Sequence, residues 1–284
     1  MTSAHRGRMW ALIAVFAAIA LAAGVIIGTH LARRPNTRSA APTASLAAEF
    51  AQLESGLHAV AGIAISGVGP GQEPISLGEW QSGPAWSTIK VPLIIAALRA
   101  EVPPQVTEAM TAAITQSDNA AAEAIWDGLG TPAEAARKVE AVLRQTGDPT
   151  IVQSQRVRPE FSASGQTDWP LTDQARFASA AVCDKENDPV FDLMARVEPD
   201  QRWGIGTIKG SRFKGGWGPS PTGGYLVRQI GVLTTPTGTV AVALAALPSS
   251  GKFEDGTAAL TTMANWLSER LSAVPAGDCP AHQR

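Results

Sequence analysis

A chain of 284 residues with 45% hydrophobic and only 17% charged residues is too apolar to stay disordered and long enough to bury a substantial core. Its formal net charge of −2 supplies no basic field for a phosphate backbone, which argues against a nucleic-acid partner. With 4 histidines and 2 cysteines there is little from which to build a histidine triad, a multi-histidine metal site or a thiolate zinc site, so chemistry without metal or cofactor is expected.

Residues 1–8 form a short amino-terminal segment, read as cytoplasmic. From Met9 to Gly28 the run MWALIAVFAAIALAAGVIIG carries no charge, and as a helix its length of about 30 Å matches a bilayer core. Ala20-Leu21-Ala22 also supplies the small residues of a signal-peptidase site, but the apolar run continues through Ile27, which favours an uncleaved anchor. Basic residues flank both ends (Arg6 and Arg8, then Arg33, Arg34 and Arg38), so their asymmetry does not set the orientation. Residues 29–44 read as a Pro/Ser/Thr/Ala-rich tether, 45–273 as the folded domain and 274–284 as a tail. The expected location is a single-pass cell-membrane protein with its domain outside the cytoplasm, or a secreted one if the leader is removed.

Within the domain, a helix is expected over Ser45–Leu53, then alternating strands at Ala59–Val68, which is taken to include His58 as a structural residue, and at Ile75–Trp80. A long helical block follows from Ser87 to Thr146, broken at Pro103-Pro104 and at Leu129-Gly130-Thr131-Pro132. Helices over Leu171–Val182 and Pro189–Val197 come next. Arg212–Gly216, Tyr225–Thr234 and Thr239–Ala246 then read as three antiparallel strands, the last two joined by the turn residues Thr235-Pro236-Thr237-Gly238. Leu260, Met263, Leu267 and Leu271 place one apolar stripe along a final helix. The fold class is α+β: a helix-covered antiparallel sheet with an all-α lobe inserted between strands two and three, and a site in the cleft between the lobes. Cys183 and Cys279 are an even pair that an exported domain would bridge; the alternative is two unrelated thiols.

Three short strings carry candidate chemistry: Ser87-Thr88-Ile89-Lys90, Ser117-Asp118-Asn119 and Lys214-Gly215-Gly216. Taken singly, they read as a helix cap with a solvated lysine, an N-cap cluster and a strand end. Together they describe an acyl-transfer site. Positions i and i+3 of a helix share a face, so the Lys90 amine approaches the Ser87 hydroxyl. Serine needs a base to become a nucleophile, and lysine is one only when burial or a second cation lowers its pKa; Lys214 is the expected cation. Ser117 would relay the proton and Asn119 would orient lysine and substrate. Gly216 clears the strand edge, and the backbone amides of Ser87 and Trp217 would form an oxyanion hole. Trp86 and Trp217 read equally as cleft lining or as core aromatics. The runs Trp203-Gly204-Ile205-Gly206 and Gly215-Gly216-Trp217-Gly218 lack the strand-to-helix context of a nucleotide loop.

In order and in context, the three strings resemble the motifs of the serine β-lactamase and penicillin-binding DD-peptidase superfamily, over residues 45 to 273. The resemblance implies Ser87 as acylated nucleophile, Lys90 as base, Ser117 and Asn119 as the second-lobe pair, and Lys214 with Gly216 as the strand wall for a substrate carboxylate. It implies a small-molecule or peptide substrate bearing an amide, ester or β-lactam, and the domain is expected to be monomeric. The sequence departs from the family in three ways. The spacing from Ser87 to Ser117 is short, Glu160 between arginines lacks the surroundings of the family's water-activating glutamate, and Gly215 stands where a hydroxyl residue is usual. These departures argue against efficient penicillin hydrolysis and favour, as the alternative, a tethered binding or scaffolding domain that has lost activity.

Overall fold

The computed structural model describes residues 40–69, 71–220 and 223–280. The expected membrane segment, Met9–Gly28, lies outside the described residues; among those described, no helix is long and apolar enough to cross a membrane. The chain divides into two units at Leu46 and Ala47, and the second, Ala47–Arg284, is the one that carries the sheet and the candidate site.

In chain order the elements are α1 (Ala40–Glu54), β1 (Ala59–Gly67), β2 (Ile75–Gly78), a 3₁₀ turn (Trp86–Ile89), α2 (Lys90–Ala100), α3 (Glu108–Thr115), α4 (Asn119–Gly128), α5 (Pro132–Gln145), α6 (Leu171–Ala181), α7 (Asp188–Met194), β3 (Arg212–Pro219), β4 (Tyr225–Thr235), β5 (Gly238–Pro248) and α8 (Phe253–Ser268). The sheet is antiparallel throughout, in the order β2-β1-β5-β4-β3. Register is set by pairs such as Ile63↔Leu244, Gly231↔Val242 and Gly216↔Arg228. The expected α+β architecture, with helices α2 to α7 inserted between strands two and three, is therefore the architecture observed.

Both faces of the sheet are covered. Adjacent strand residues point to opposite faces, and β4 shows it: Val227 lies against Gly256 of α8, whereas Arg228 bonds Gln174 of α6. On the α8 side, Trp266 meets Phe50 of α1 edge-to-face at 5.3 Å. In the helical lobe, Leu93, Ile94, Met110, Val139, Leu143 and Phe191 belong to one buried apolar cluster. Each large side chain so buried contributes about 1.5–3 kcal/mol relative to exposure.

Some boundaries differ from those read in the sequence. The first helix begins at Ala40, inside the expected tether, rather than at Ser45. His58 is not in β1 but in the exposed turn before it, at φ 49°. The expected long helical block is broken a third time, at Gln116–Asp118, which turns out to matter for the site. Strand β3 runs on to Pro219 because pairing with β4 continues to Pro219↔Tyr225. Leu271 lies beyond α8, so of the four expected residues Leu260, Met263 and Leu267 are in its buried face, together with Ala259, Ala264 and Trp266.

The segment expected as a tail is attached up to residue 280. Thr239 and Gly277 exchange two backbone hydrogen bonds of 2.8 and 3.0 Å, and Cys183, just after α6, forms a disulfide with Cys279 across a sequence separation of 96. Closing so long a loop removes entropy from the unfolded chain. The double variant C183S/C279S should lose about 2–5 kcal/mol of stability in urea denaturation, and an unchanged midpoint would show that the bond adds nothing to the fold.

Candidate active site

The nucleophile turn begins with backbone strain. Trp86 has φ 48° without being glycine, and Ser87 follows in the 3₁₀ turn that leads into α2, its side chain half-buried. Several bonds hold the turn from below. Thr88 Oγ1 donates to Ala85 O at 2.5 Å and accepts from Gln174 Nε2 at 2.7 Å. Arg228, wholly buried in β4, donates to Gly83 O (2.8 Å) and Pro84 O (2.9 Å) just before the turn, and to Trp169 O and Gln174 Oε1 on its other side. Strand β3 closes against the same turn: a Cβ on Gly216 would lie 2.9 Å from the amide nitrogens of Ser87 and Thr88, so only glycine lets the strand come this close.

The break between α3 and α4 supplies the second wall. Asp118 caps α4 by accepting from Ala121 N at 2.7 Å, as its position in the sequence suggests. Ser117, immediately before, takes φ 60°, a left-handed conformation that costs a non-glycine residue about 1–3 kcal/mol. The loop is held in it by Glu198 N donating to Thr115 O and Gln201 Nε2 donating to Gln116 O, both at 2.9 Å.

Ser117 joins the two lysines. Its carbonyl accepts from Lys90 Nζ at 2.7 Å, and its hydroxyl accepts from Lys214 Nζ at 2.8 Å. Lys90 Nζ also donates to Asn119 Oδ1 (2.8 Å) and Asp118 O (3.1 Å), while Lys214 Nζ donates to Gly215 O (2.8 Å). The three N–H groups of the Lys90 ammonium therefore have three oxygen acceptors. The expected contact is missing: among the described residues no hydrogen bond joins Lys90 Nζ to Ser87 Oγ, because the carbonyls of the α3–α4 break attract the amine instead.

Burial pulls the Lys90 amine down to about 8, against the opposing pull of the Asp118 and Glu123 charges. Lys214 lies well below the usual lysine range, first through complete burial and then through repulsion from Lys90. Burial is the larger cause at both amines, and the repulsion between the two neighbouring cations acts in the same direction.

Ser87, Lys90, Asn119 and Trp217 line one cavity of about 350 Å³, together with Trp86, Glu123, Arg156, Glu160, Phe161 and Tyr225. Ser117, Lys214 and Gly216 stand behind this lining rather than in it; in particular the Lys214 amine, expected to meet a substrate carboxylate, has no exposed surface and is spent on Ser117 and Gly215. Trp86 combines both readings, since it is 6% exposed and also lines the cavity.

Two participants escaped the sequence reading. Glu123 lies one helical turn after Asn119, on the same face of α4, where it pairs with Arg156; that i, i+4 spacing was the available signal. Arg228 is a lone cation in the apolar run of β4, and a charge in a buried strand asks for a partner. Glu160 does reach the cavity rim, but its side chain is 60% exposed and faces Arg158 at 3.6 Å.

No protein-family model matches the chain, and no curated protein matches it in sequence. Solved structures do match. An ancestral class A β-lactamase superposes with a TM-score of 0.61 at 20% identity, covering 79% of this chain and 99% of its own. A β-lactamase from Sphaerobacter thermophilus gives 0.59 at 20% identity (81% and 97%), and a class A β-lactamase from Mycobacterium abscessus 0.58 at 17% identity (78% and 99%). The fold is thus that of the serine β-lactamases, as the motifs led us to expect.

The electrostatics can be checked directly. By nitrogen-15 side-chain NMR, assigned with Lys90→Met, the Lys90 amine should titrate near pH 8, charged below and neutral above. Titration in the ordinary range, near 10.4, would show that burial does not control it.

Proposed function

We propose that the domain is a serine acyl-transfer hydrolase that forms an acyl-enzyme through Ser87 with an ester, amide or β-lactam. The observation that carries this reading is the meeting of Lys90, Ser117, Asn119 and Lys214 in one hydrogen-bonded group beside the cavity that Ser87 lines.

Above pH 8 a neutral Lys90 has two N–H groups and one lone pair. Keeping two of its three present acceptors, it can turn the lone pair to Ser87, one helical turn back on the same face. Ser87 Oγ then bonds to the substrate carbonyl carbon while its proton passes to Lys90 Nζ. The amides of Ser87 and Trp217 would stabilise the developing oxyanion; the close seating of Gly216 on the Ser87 amide favours that arrangement. Ser117 Oγ, held by Lys214, would hand a proton to the leaving group and be reprotonated from Lys90. For release, a water attacks the acyl carbon and loses its proton to a carboxylate. We assign that role to Glu123, which lines the cavity and at 31% side-chain exposure is less open to solvent than Glu160.

A second reading, a binding domain that has lost activity, draws on one specific observation: the Lys90 ammonium is saturated by acceptors other than Ser87. We further propose that the domain works outside the cytoplasm, tethered by its apolar amino-terminal segment, a placement in keeping with the Cys183–Cys279 disulfide.

A fluorescent fluorophosphonate should label the wild-type protein at Ser87, and Ser87→Ala should abolish the label; unlabelled wild-type protein favours the binding domain. Lys90→Met should slow labelling by about 10²–10⁴-fold. With any ester that turns over, Glu123→Gln should let an acyl-enzyme accumulate in intact-protein mass spectra. Accumulation in Glu160→Gln but not in Glu123→Gln would transfer the role to Glu160.

A further inference from the structure

The charges around the cavity are already matched. Of the charged residues that line it, Lys90 and Arg156 are cationic and Glu123 and Glu160 anionic. Lys90 donates to three oxygens, and Arg156 is paired with Glu123. Behind the lining, Lys214 and Arg228 have no exposed surface and donate hydrogen bonds to protein oxygens. Arg158 donates to Pro219 O at 2.6 Å and faces Glu160. An anionic ligand would therefore enter a site with two carboxylates, in which each lining cation already has a protein partner.

The uncharged lining is aromatic on both sides, with Ser87, Asn119, Ser162 and Ser164 as its polar members. Trp86 and Phe161 meet edge-to-face at 5.0 Å on one wall. Trp217 and Tyr225 form the other, both packed on Phe253 (5.5 and 6.0 Å), with Trp203 behind Trp217 at 5.9 Å. Trp203 also removes the space in which a polar side chain could stand beside Lys214: a Cβ on Gly215 would lie 3.0 Å from its ring, tighter than an ordinary contact.

Building on the hydrolase reading above, we propose that the cleft is specific for uncharged aromatic esters or amides and discriminates against substrates that carry a carboxylate. The aromatic walls stack on the substrate's rings, and the paired charges leave a carboxylate unmatched.

The test compares two esters of N-phenylacetylglycine, the phenyl ester and its meta-carboxyphenyl counterpart, with the full-length protein. Each kcat/KM is divided by the ester's own rate of alkaline hydrolysis to remove differences in leaving group. The neutral ester should be favoured at least tenfold. Tyr225→Arg, which puts an unmatched cation on the aromatic wall, should narrow the preference to threefold or less. An anionic ester cleaved as fast as the neutral one, or a preference that Tyr225→Arg leaves unchanged, overturns the proposal. Fluorophosphonate labelling of Ser87 separates the two levels of inference. Labelling that neither ester slows sinks the specificity alone; no labelling and no cleavage sink the hydrolase reading and the specificity with it.

Discussion

Two lysine amines lie buried in one site, neither hydrogen-bonded to a carboxylate, and a single serine binds both. Removing a charged amine from water is costly unless hydrogen bonds or a loss of charge compensate. The α3–α4 break supplies the first remedy for Lys90, through two backbone carbonyls and the Asn119 amide, and burial supplies the second by lowering both amines. The left-handed backbone at Ser117 goes with this duty, since that residue offers its carbonyl to one lysine and its hydroxyl to the other. The rest of the site is organised around keeping this bridge in place.

The bridge spans the two lobes: Ser117 comes from the helical insertion and Lys214 from the edge strand of the sheet. A third element, the 3₁₀ turn of Ser87, has to be held between them, and it is held from two sides. Gly216 allows the strand to touch the turn's amides. From within the core, Arg228 ties the backbone before the turn to Trp169 and α6, with the Trp80 ring 5.1 Å from its guanidinium. Arg228 has carbonyl and amide oxygens but no carboxylate in contact, so it too is a buried cation compensated by dipoles, and burial lowers it to about 9. Three buried basic groups within one region are thus partnered by dipoles rather than by counter-ions.

The same economy shapes the cavity. Charges that reach it have protein partners, and the rest of the lining is aromatic surface with the side chains of Ser87, Asn119, Ser162 and Ser164. The segment over the cleft is braced internally by Gln166, which accepts from Arg158 N and donates to the carbonyls of Arg158, Phe161 and Ser162. Arg158 in turn lies 4.3 Å from the centre of the Phe161 ring. The wall therefore presents a preformed surface rather than a set of free charges.

Local order along the chain determined the fold class, the strand sequence and the three motifs, because alternation, helical spacing and turn residues act over a few positions; the Cys183–Cys279 bond, left open by the sequence, was decided by the fold. It also placed Gly216, Asn119 and Trp217 in their groups, and the i, i+4 relation of Asn119 and Glu123 was there to be read. What it could not determine is which acceptor an amine prefers when several come within reach. Lys90 turning to the α3–α4 carbonyls instead of Ser87, Lys214 disappearing behind Ser117, Trp203 settling over Gly215 and Arg228 reaching beneath the nucleophile turn all join residues distant in sequence. Those choices depend on desolvation and on competing hydrogen bonds, which exist only once the two lobes have closed around them.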